Sequence, residues 1–453
     1  MQADNETPAA PLCSTLRRRT FWERHGSWVL LGIVAASCLG IGLHIGAQIT
    51  FSQVTSSQLT TLNLQHTAEM QRMQLRHQEE TAKLTELGLD AATLAGGTEK
   101  QRFHALQLAD ERIAGLLPAA HAERIRERAA QLRAIAVPLA MGNTVVLKAA
   151  PDTPWCAAEV GRIINERTDF PAGVVNVITS DDHRIGAQLT EDPRVDLVSF
   201  TGSTATGRAV MVAASHTIKK VFLELGGKSA YIVLDDADLP AACAAAAAGV
   251  AMHAGQGCAF TTRLLVPRAR YDEAVAAAAT AMSGIGFGDP TEPATLCGPL
   301  ISARQRDRVE GYLRLAVEEG GRFACGGGRP ADRTRGFFIE PTVIAGLDNS
   351  ARVAREEIFG PVLTVIAHDG DDDAVRIAND SPYGLSGTVF SADPQRAAGV
   401  AARLRVGTVN VNGGVWYSAD APFGGYKQSG IGREMGIAGF EEYLETKCIA
   451  TLA

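Results

Sequence analysis

Two side chains in this sequence have a type and setting that could do chemistry, one as a nucleophile and one as a base. Cys258 closes the run AGQGC (254–258), where small neighbours leave a thiol reachable. Its thiolate would be a nucleophile. Glu224 ends the apolar run KVFLE and is followed by LGGK (225–228). A lone carboxylate at a strand end could serve as a general base. Each has a plainer reading: free cysteine is among the most buried residue types, and a lone carboxylate beside such a turn more often caps a helix. A third feature is VDLVSFTGSTATGRAV (195–210), with Gly202, Ser203 and Gly207 at a strand-to-helix turn whose amides could face an anion. It is neither GxGxxG nor a P-loop, because Arg208 and Ala209 stand where Lys and Ser/Thr are required. A tight turn explains it equally well. His253, on an alanine-rich helix, reads as filler and not as half of a Cys–His pair.

The elements that must position these residues follow from pattern. The 453 residues can hold two or three domains, and 46 % hydrophobic with 21 % charged is ordinary for a globular chain. A net charge of −7 and the lack of a basic stripe argue against nucleic acid as a partner. The eight cysteines form no CxxC pair, so no metal site and no disulfide framework is expected. Residues 1–26 read as a tail. The apolar run 27–51, SWVLLGIVAASCLGIGLHIGAQITF with its preceding arginines, reads as a transmembrane helix, and the protein as single-pass, N-terminus inside, with the side of the globular part left open by the needs of its chemistry. Residues 52–137 are polar and helix-forming, a stalk or linker. From about Pro138, short β-rich runs alternate with alanine-rich helices: NTVVLK, VVNVITS, VDLVSFTGS, KVFLELGG and YIVLDDAD, then RLLVPR, FFIEPTVIAGL, PVLTVIAHD and GTVNVNGG. That rhythm predicts an α/β fold with two lobes built on parallel sheet.

Taken in order, GNTVVLK (142–148), FTGSTATG (200–207), LELGGK (223–228), GQGC (255–258), EEIFGPV (356–362), GTVNVN (407–412) and PFGGYKQSGIGRE (422–434) resemble the aldehyde dehydrogenase superfamily from roughly Leu139 to the C-terminus. The resemblance implies an incomplete Rossmann-type cofactor lobe over 138–226 and 412–435, a catalytic lobe over 227–411, and a C-terminal oligomerisation-like strand in 436–453. It implies oxidation of an aldehyde through a thiohemiacetal and thioester on Cys258, with Glu224 activating the hydrolytic water. It makes Lys148 a ribose-binding residue, puts Gly202 and Ser203 on the pyrophosphate side with Gly207 and Leu225 as further cofactor residues, and gives Glu357 and Phe359 the nicotinamide ribose. Gln305 is a weaker carry-over. NAD is the expected cofactor, with NADP open because Ala149, Ala150 and Pro151 follow Lys148 where the family has Pro-Ala/Ser-Glu. The partner is a small aldehyde, to whose funnel Trp416, Tyr417 and Phe423 could contribute; oligomerisation is left open.

One departure bears on activity. The family's upstream half of the cofactor domain, including an asparagine that donates to the oxyanion, has no matching motif here; a gapless count from Gly142 puts Ile125 at that asparagine. Loss of such a donor typically costs about 100- to 1000-fold in rate. The alternative expectation is therefore a truncated or rearranged family member, acting as a non-enzymatic module or as a residual thiol esterase through Cys258 and Glu224.

Overall fold

The computed structural model describes residues 135–292, 294–413, 418 and 421–451. They fall into two compact units. In the first, a helical turn at 135–140 leads to strand β1 (Val145–Lys148), helix α1 (Pro154–Arg167) and strand β2 (Val175–Ile178). Proline opens α1, where its missing N–H would be unpaired in any case. β1 and β2 pair in parallel, Val145 opposite Val175, with α1 as the crossover. Ile135, Leu139 and Val160 are buried against Val145, Leu147, Ile164 and Phe170. Gly161 lets α1 settle on β2, because a Cβ there would lie 2.9 Å from Val177 Cγ2.

The second unit holds a three-stranded and a seven-stranded sheet. After helix α2 (Arg184–Glu191), β3 (Leu197–Thr201) crosses through α3 (Thr204–Ser215) to its parallel neighbour β4 (Lys220–Glu224). Next come β5 (Ala230–Val233), α4 (Leu239–Ala251), β6 (Arg263–Pro267), α5 (Tyr271–Ser283), α6 (Ala303–Glu318), β7 (Arg322–Cys325) and β8 (Thr342–Ala345). α7 (Arg352–Arg355), β9 (Val362–His368), α8 (Asp371–Asn379), β10 (Ser386–Phe390), α9 (Pro394–Ala401) and β11 (Thr408–Val411) complete the larger sheet, ordered β11-β10-β5-β6-β9-β8-β7. All its pairs are parallel except β7 with β8. The two-residue strand β12 (Gly430–Ile431) returns to add an antiparallel edge to β4. Helix α10 (Gly436–Glu441) follows it.

The central strands are covered on both faces, as parallel strands must be. Tyr231, Val233, Leu264, Val266 and Val365 face one core together with α4 and α5. Their neighbours Ile232, Leu234, Leu265 and Ile366 face the other, together with α8 and α9. This period-2 alternation reads directly as pleat geometry.

Two expectations change. The transmembrane segment 27–51 lies outside the described residues, and among the described residues no helix is long and apolar enough to cross a membrane. The longest, α6, has 16 residues, short of the roughly 20 a bilayer core requires, so the expected single-pass membrane localisation is corrected. The strand expected in 436–453 is also absent from the described residues: 436–441 are helical and 444–451 carry no regular structure. A strand needs a ladder partner for its backbone groups, and no described segment provides one.

Candidate active site

The backbone of Glu224 is fixed from both sides. β3 pairs Thr201 with it, β12 pairs Gly430 with it, and its carbonyl accepts from the Gly202 N–H at 3.0 Å. The next residue, Leu225, donates to the Ser429 carbonyl at 2.9 Å. The side chain is treated differently. It is 3 % exposed, and neither carboxyl oxygen has a hydrogen-bond partner among the described residues. Burial, reinforced by Glu434 and opposed by Arg433, pushes the carboxyl up to about 9. A buried carboxyl without donors favours its neutral form.

Cys258 is delivered by a turn that only unusual backbone can make. After α4, His253, Ala254 and Gly255 take φ values of 50°, 53° and 72°, three successive left-handed residues. Non-glycine residues pay roughly 1–2 kcal/mol each for this region. Glycines permit the approach of the surrounding chain. A Cβ on Gly255 would lie 2.0 Å from the Gly360 carbonyl, and one on Gly227 would lie 2.3 Å from the Cys258 carbonyl oxygen. The LGGK loop after Glu224 therefore packs directly on the Cys258 backbone. Burial first, then Glu224 and Glu357, pushes the Cys258 thiol up to about 12, while the N–H groups of Cys258 and Ala259 favour the thiolate. Ala259, Leu385, Phe423 and Met435 form an apolar cluster with Cys258. Ser386 Oγ donates to the Ala259 carbonyl and anchors this turn to β10.

The remaining candidates gather around these two. Ser203 caps α3, its Oγ accepting from the Thr206 N–H at 3.2 Å. Gly207 is required there, because a Cβ would lie 2.6 Å from Leu225 Cδ2; Gly202 likewise approaches the Phe200 ring. Glu357 Oε1 accepts from the Gly227 N–H at 3.0 Å, and Gly226 could not carry a side chain without striking Oε2 at 2.5 Å. Burial raises the pKa of Glu357, against the opposing pull of the Gly227 N–H, Arg308 and Lys228. Phe359 holds φ 62°. Gln305 lies on α6 with its amide on the carbonyls of Ile358 and Phe359 at 3.2 and 2.7 Å.

Lys148 ends β1 in the first unit, whereas the cluster just described belongs to the second; its amine donates to the Ala149 carbonyl. Ile125, Trp416 and Tyr417 lie outside the described residues, while Phe423 stands beside Cys258. His253 stacks edge-on against Phe260 at 6.2 Å. Lys228, Arg308 and Ser429 were missed by sequence reasoning. Lys228 is fully buried, with no partner for Nζ among the described residues, and burial lowers it to about 7. Ser429 Oγ donates to the Gly226 carbonyl at 2.6 Å and accepts from the Gly384 N–H. A lysine after two glycines was the available signal for the first; the others have none that is local.

Comparison with known proteins agrees with this geometry. The aldehyde dehydrogenase family pattern matches residues 129–449. A 3-succinoylsemialdehyde-pyridine dehydrogenase of a Pseudomonas species is 46 % identical over 316 residues, 70 % of this chain and 66 % of that protein. The crystal structure of a Mycobacterium tuberculosis aldehyde dehydrogenase with NAD+ aligns at TM-score 0.67 and 46 % identity, covering 69 % of this chain and 64 % of that one. Aldehyde dehydrogenase C of Pseudomonas syringae, solved with NAD+ and octanal, aligns at TM-score 0.68 and 42 % identity over 70 % of this chain and 66 % of its own. The chain thus spans just under two thirds of the length of these relatives. Since the family pattern runs through most of the sequence, from 129 to 449, the chain belongs to the aldehyde dehydrogenase family.

Proposed function

We propose that this chain oxidises an aldehyde to a carboxylate with NAD as the hydride acceptor. The observation that carries this reading is the packing of the Glu224–Lys228 loop on the Cys258 backbone, with a buried, unpartnered carboxyl at its start. In the resting site burial keeps both groups neutral. An aldehyde admitted beside Phe423, Leu385 and Met435 would meet the thiol. Cys258 gives its proton to solvent water, the resulting thiolate bonds to the carbonyl carbon as the C=O π electrons move onto oxygen, and the oxyanion accepts from the backbone N–H of Cys258. After oxidation to the thioester, ionised Glu224 takes a proton from water as that water attacks the acyl carbon, and Cys258 leaves as thiolate. With a pKa of about 9, Glu224 is a competent base only in its minor, ionised form at neutral pH, so hydrolysis accelerates as pH rises toward that value.

The residues present suit a dinucleotide. The capped α3 N-terminus, with Gly202 and Gly207 bare of side chains, is a cradle for a pyrophosphate. Glu357, Gln305, Leu225 and Phe359 complete the proposed set, and Lys148 joins it on the strength of the GNTVVLK match alone. When bound, NAD supplies a two-electron acceptor and a positively charged ring. The choice of NAD over NADP is supported by the NAD+ held in the solved relatives. The test is NADH formation by the full chain with a panel of aldehydes, beside Cys258→Ala. Absorbance growth lost in the variant supports the proposal. Ester hydrolysis without NADH would instead favour the thiol-esterase reading, and no Cys258-dependent reaction would overturn both.

A further inference from the structure

The loop Glu356–Gly360 has no regular structure, yet it is held at every residue. Three side chains one face apart on α6, at i, i+3 and i+7, reach it. Gln305 Nε2 donates to the carbonyls of Ile358 and Phe359 at 3.2 and 2.7 Å. Arg308 Nη2 donates to the Glu357 carbonyl at 2.5 Å and its Nε to the Ile358 carbonyl at 3.3 Å. Tyr312 OH donates to Glu356 Oε2 at 2.9 Å, and the Arg308 guanidinium lies 5.3 Å over the Tyr312 ring. Three successive carbonyls thus point at one helix, an arrangement that the left-handed Phe359 (φ 62°) both requires and opposes, since a bulky residue adopts that region only when its surroundings impose it. The last loop residue then carries the constraint onward. A Cβ on Gly360 would lie 2.5 Å from Val309 Cγ2 of α6, and Gly360 is the same residue against which Gly255 of the nucleophile turn is pressed.

We propose that Arg308, assisted by Tyr312, is a positioning residue that clamps the 356–360 loop and so presents Glu357 and Phe359 to the nicotinamide ribose. This rests on the NAD reading above. It also gives Gln305 a different part from the one the family resemblance implied: its amide N–H groups are committed to the loop, so it acts on the cofactor through Phe359. Arg308 is exposed at the surface of α6, so its replacement leaves the core untouched.

The test compares the parent chain with Arg308→Met, Arg308→Lys and Tyr312→Phe by calorimetric titration with NAD and, separately, ADP, which lacks the nicotinamide ribose. Amide hydrogen exchange is measured in the same proteins without ligand. In Arg308→Met, NAD binding weakens about 10-fold while ADP binding stays within about twofold, and amides of 356–361 exchange about 10-fold faster with β9 unchanged. Arg308→Lys, which keeps the charge but not the two-carbonyl geometry, recovers only part of this, and Tyr312→Phe shows a smaller change of the same kind. Equal weakening of NAD and ADP, or unchanged exchange in the loop, overturns the clamp. If the parent binds neither ligand, the NAD reading fails by itself, and the exchange result alone decides the clamp.

Discussion

Two buried charged residues in the second unit have opposite surroundings. Arg263, at the start of β6, is 2 % exposed, and each of its three nitrogens donates: Nε to the Lys228 carbonyl at 2.8 Å, Nη1 to Asn349 Oδ1 at 2.7 Å and the Ile377 carbonyl at 3.1 Å, Nη2 to the Ala378 carbonyl at 3.0 Å. Glu224, at the end of β4, is 3 % exposed and its carboxyl has no partner among the described residues. Both backbones are held by sheet ladders, so the difference is not one of order. A buried ion that serves the fold is satisfied on every side, because an unmet donor or acceptor costs about 1–3 kcal/mol. In the proposed reaction Glu224 exchanges a proton with a transient water, a part that a buried carboxyl without a fixed partner and with its pKa raised by burial would suit.

The comparison can be broken at either end. The largest effect is expected at Arg263. Arg263→Met strands four acceptors and should lower unfolding free energy by about 3–5 kcal/mol in denaturant titration; a loss below about 1 kcal/mol would mean that the network does not stabilise the fold. Gly227→Ala comes next. Its new Cβ must displace the Cys258 carbonyl it would meet at 2.3 Å, which should cost about 1–3 kcal/mol and also depress Cys258 reactivity. Unaltered alkylation of Cys258 in that variant would show that the two loops are not coupled.

Glu224 should respond in the opposite direction. Below pH 4.5 the carboxyl is protonated in both folded and unfolded chains; above it the unfolded chain ionises while the native one stays protonated until about pH 9. The native state therefore binds the extra proton across this window, and its stability falls as pH rises through it. Glu224→Gln removes that loss, so the variant should gain on the parent with pH, reaching about 2–4 kcal/mol by pH 8. A difference that is flat between pH 5 and 8 would contradict the raised pKa. The smallest effect concerns the thiol. Iodoacetamide alkylation of Cys258 should stay slow until strongly alkaline pH, in keeping with a thiol pushed up to about 12, and Glu357→Gln should bring the midpoint down by about half a unit by removing a nearby negative charge. An upward move would place Glu357 outside the thiol's field.

Much of this organisation is legible in the sequence, and what is not has a physical reason. The strands β1–β6, β8, β9 and β11 sit in apolar runs that announce them. β7 is a half-exposed edge strand beginning Arg-Phe, β10 is the short run SGTVF beside a glycine-containing loop, and β12 has two residues; none carries a periodic signal of sufficient length. Cys258 and Glu224 are readable because small residues and glycines flag them locally. Arg308, Lys228 and Ser429 are not, because their meaning lies in contacts across the chain: Gly227 meets Glu357 over a separation of 130 residues, and Ser429 meets Gly226 over 203. The apolar run at 27–51 is a strong local pattern that lies outside the described residues, and among those no helix is long and apolar enough to cross a membrane.

The central claim is that Cys258 is the acyl carrier and Glu224 the base that frees it. Mass spectrometry of Glu224→Gln quenched after mixing with NAD and an aldehyde panel tests both at once. The account predicts an acyl group on the peptide containing Cys258, formed with about one equivalent of NADH and then arrested. Continued turnover by that variant, or an unmodified Cys258, would contradict it.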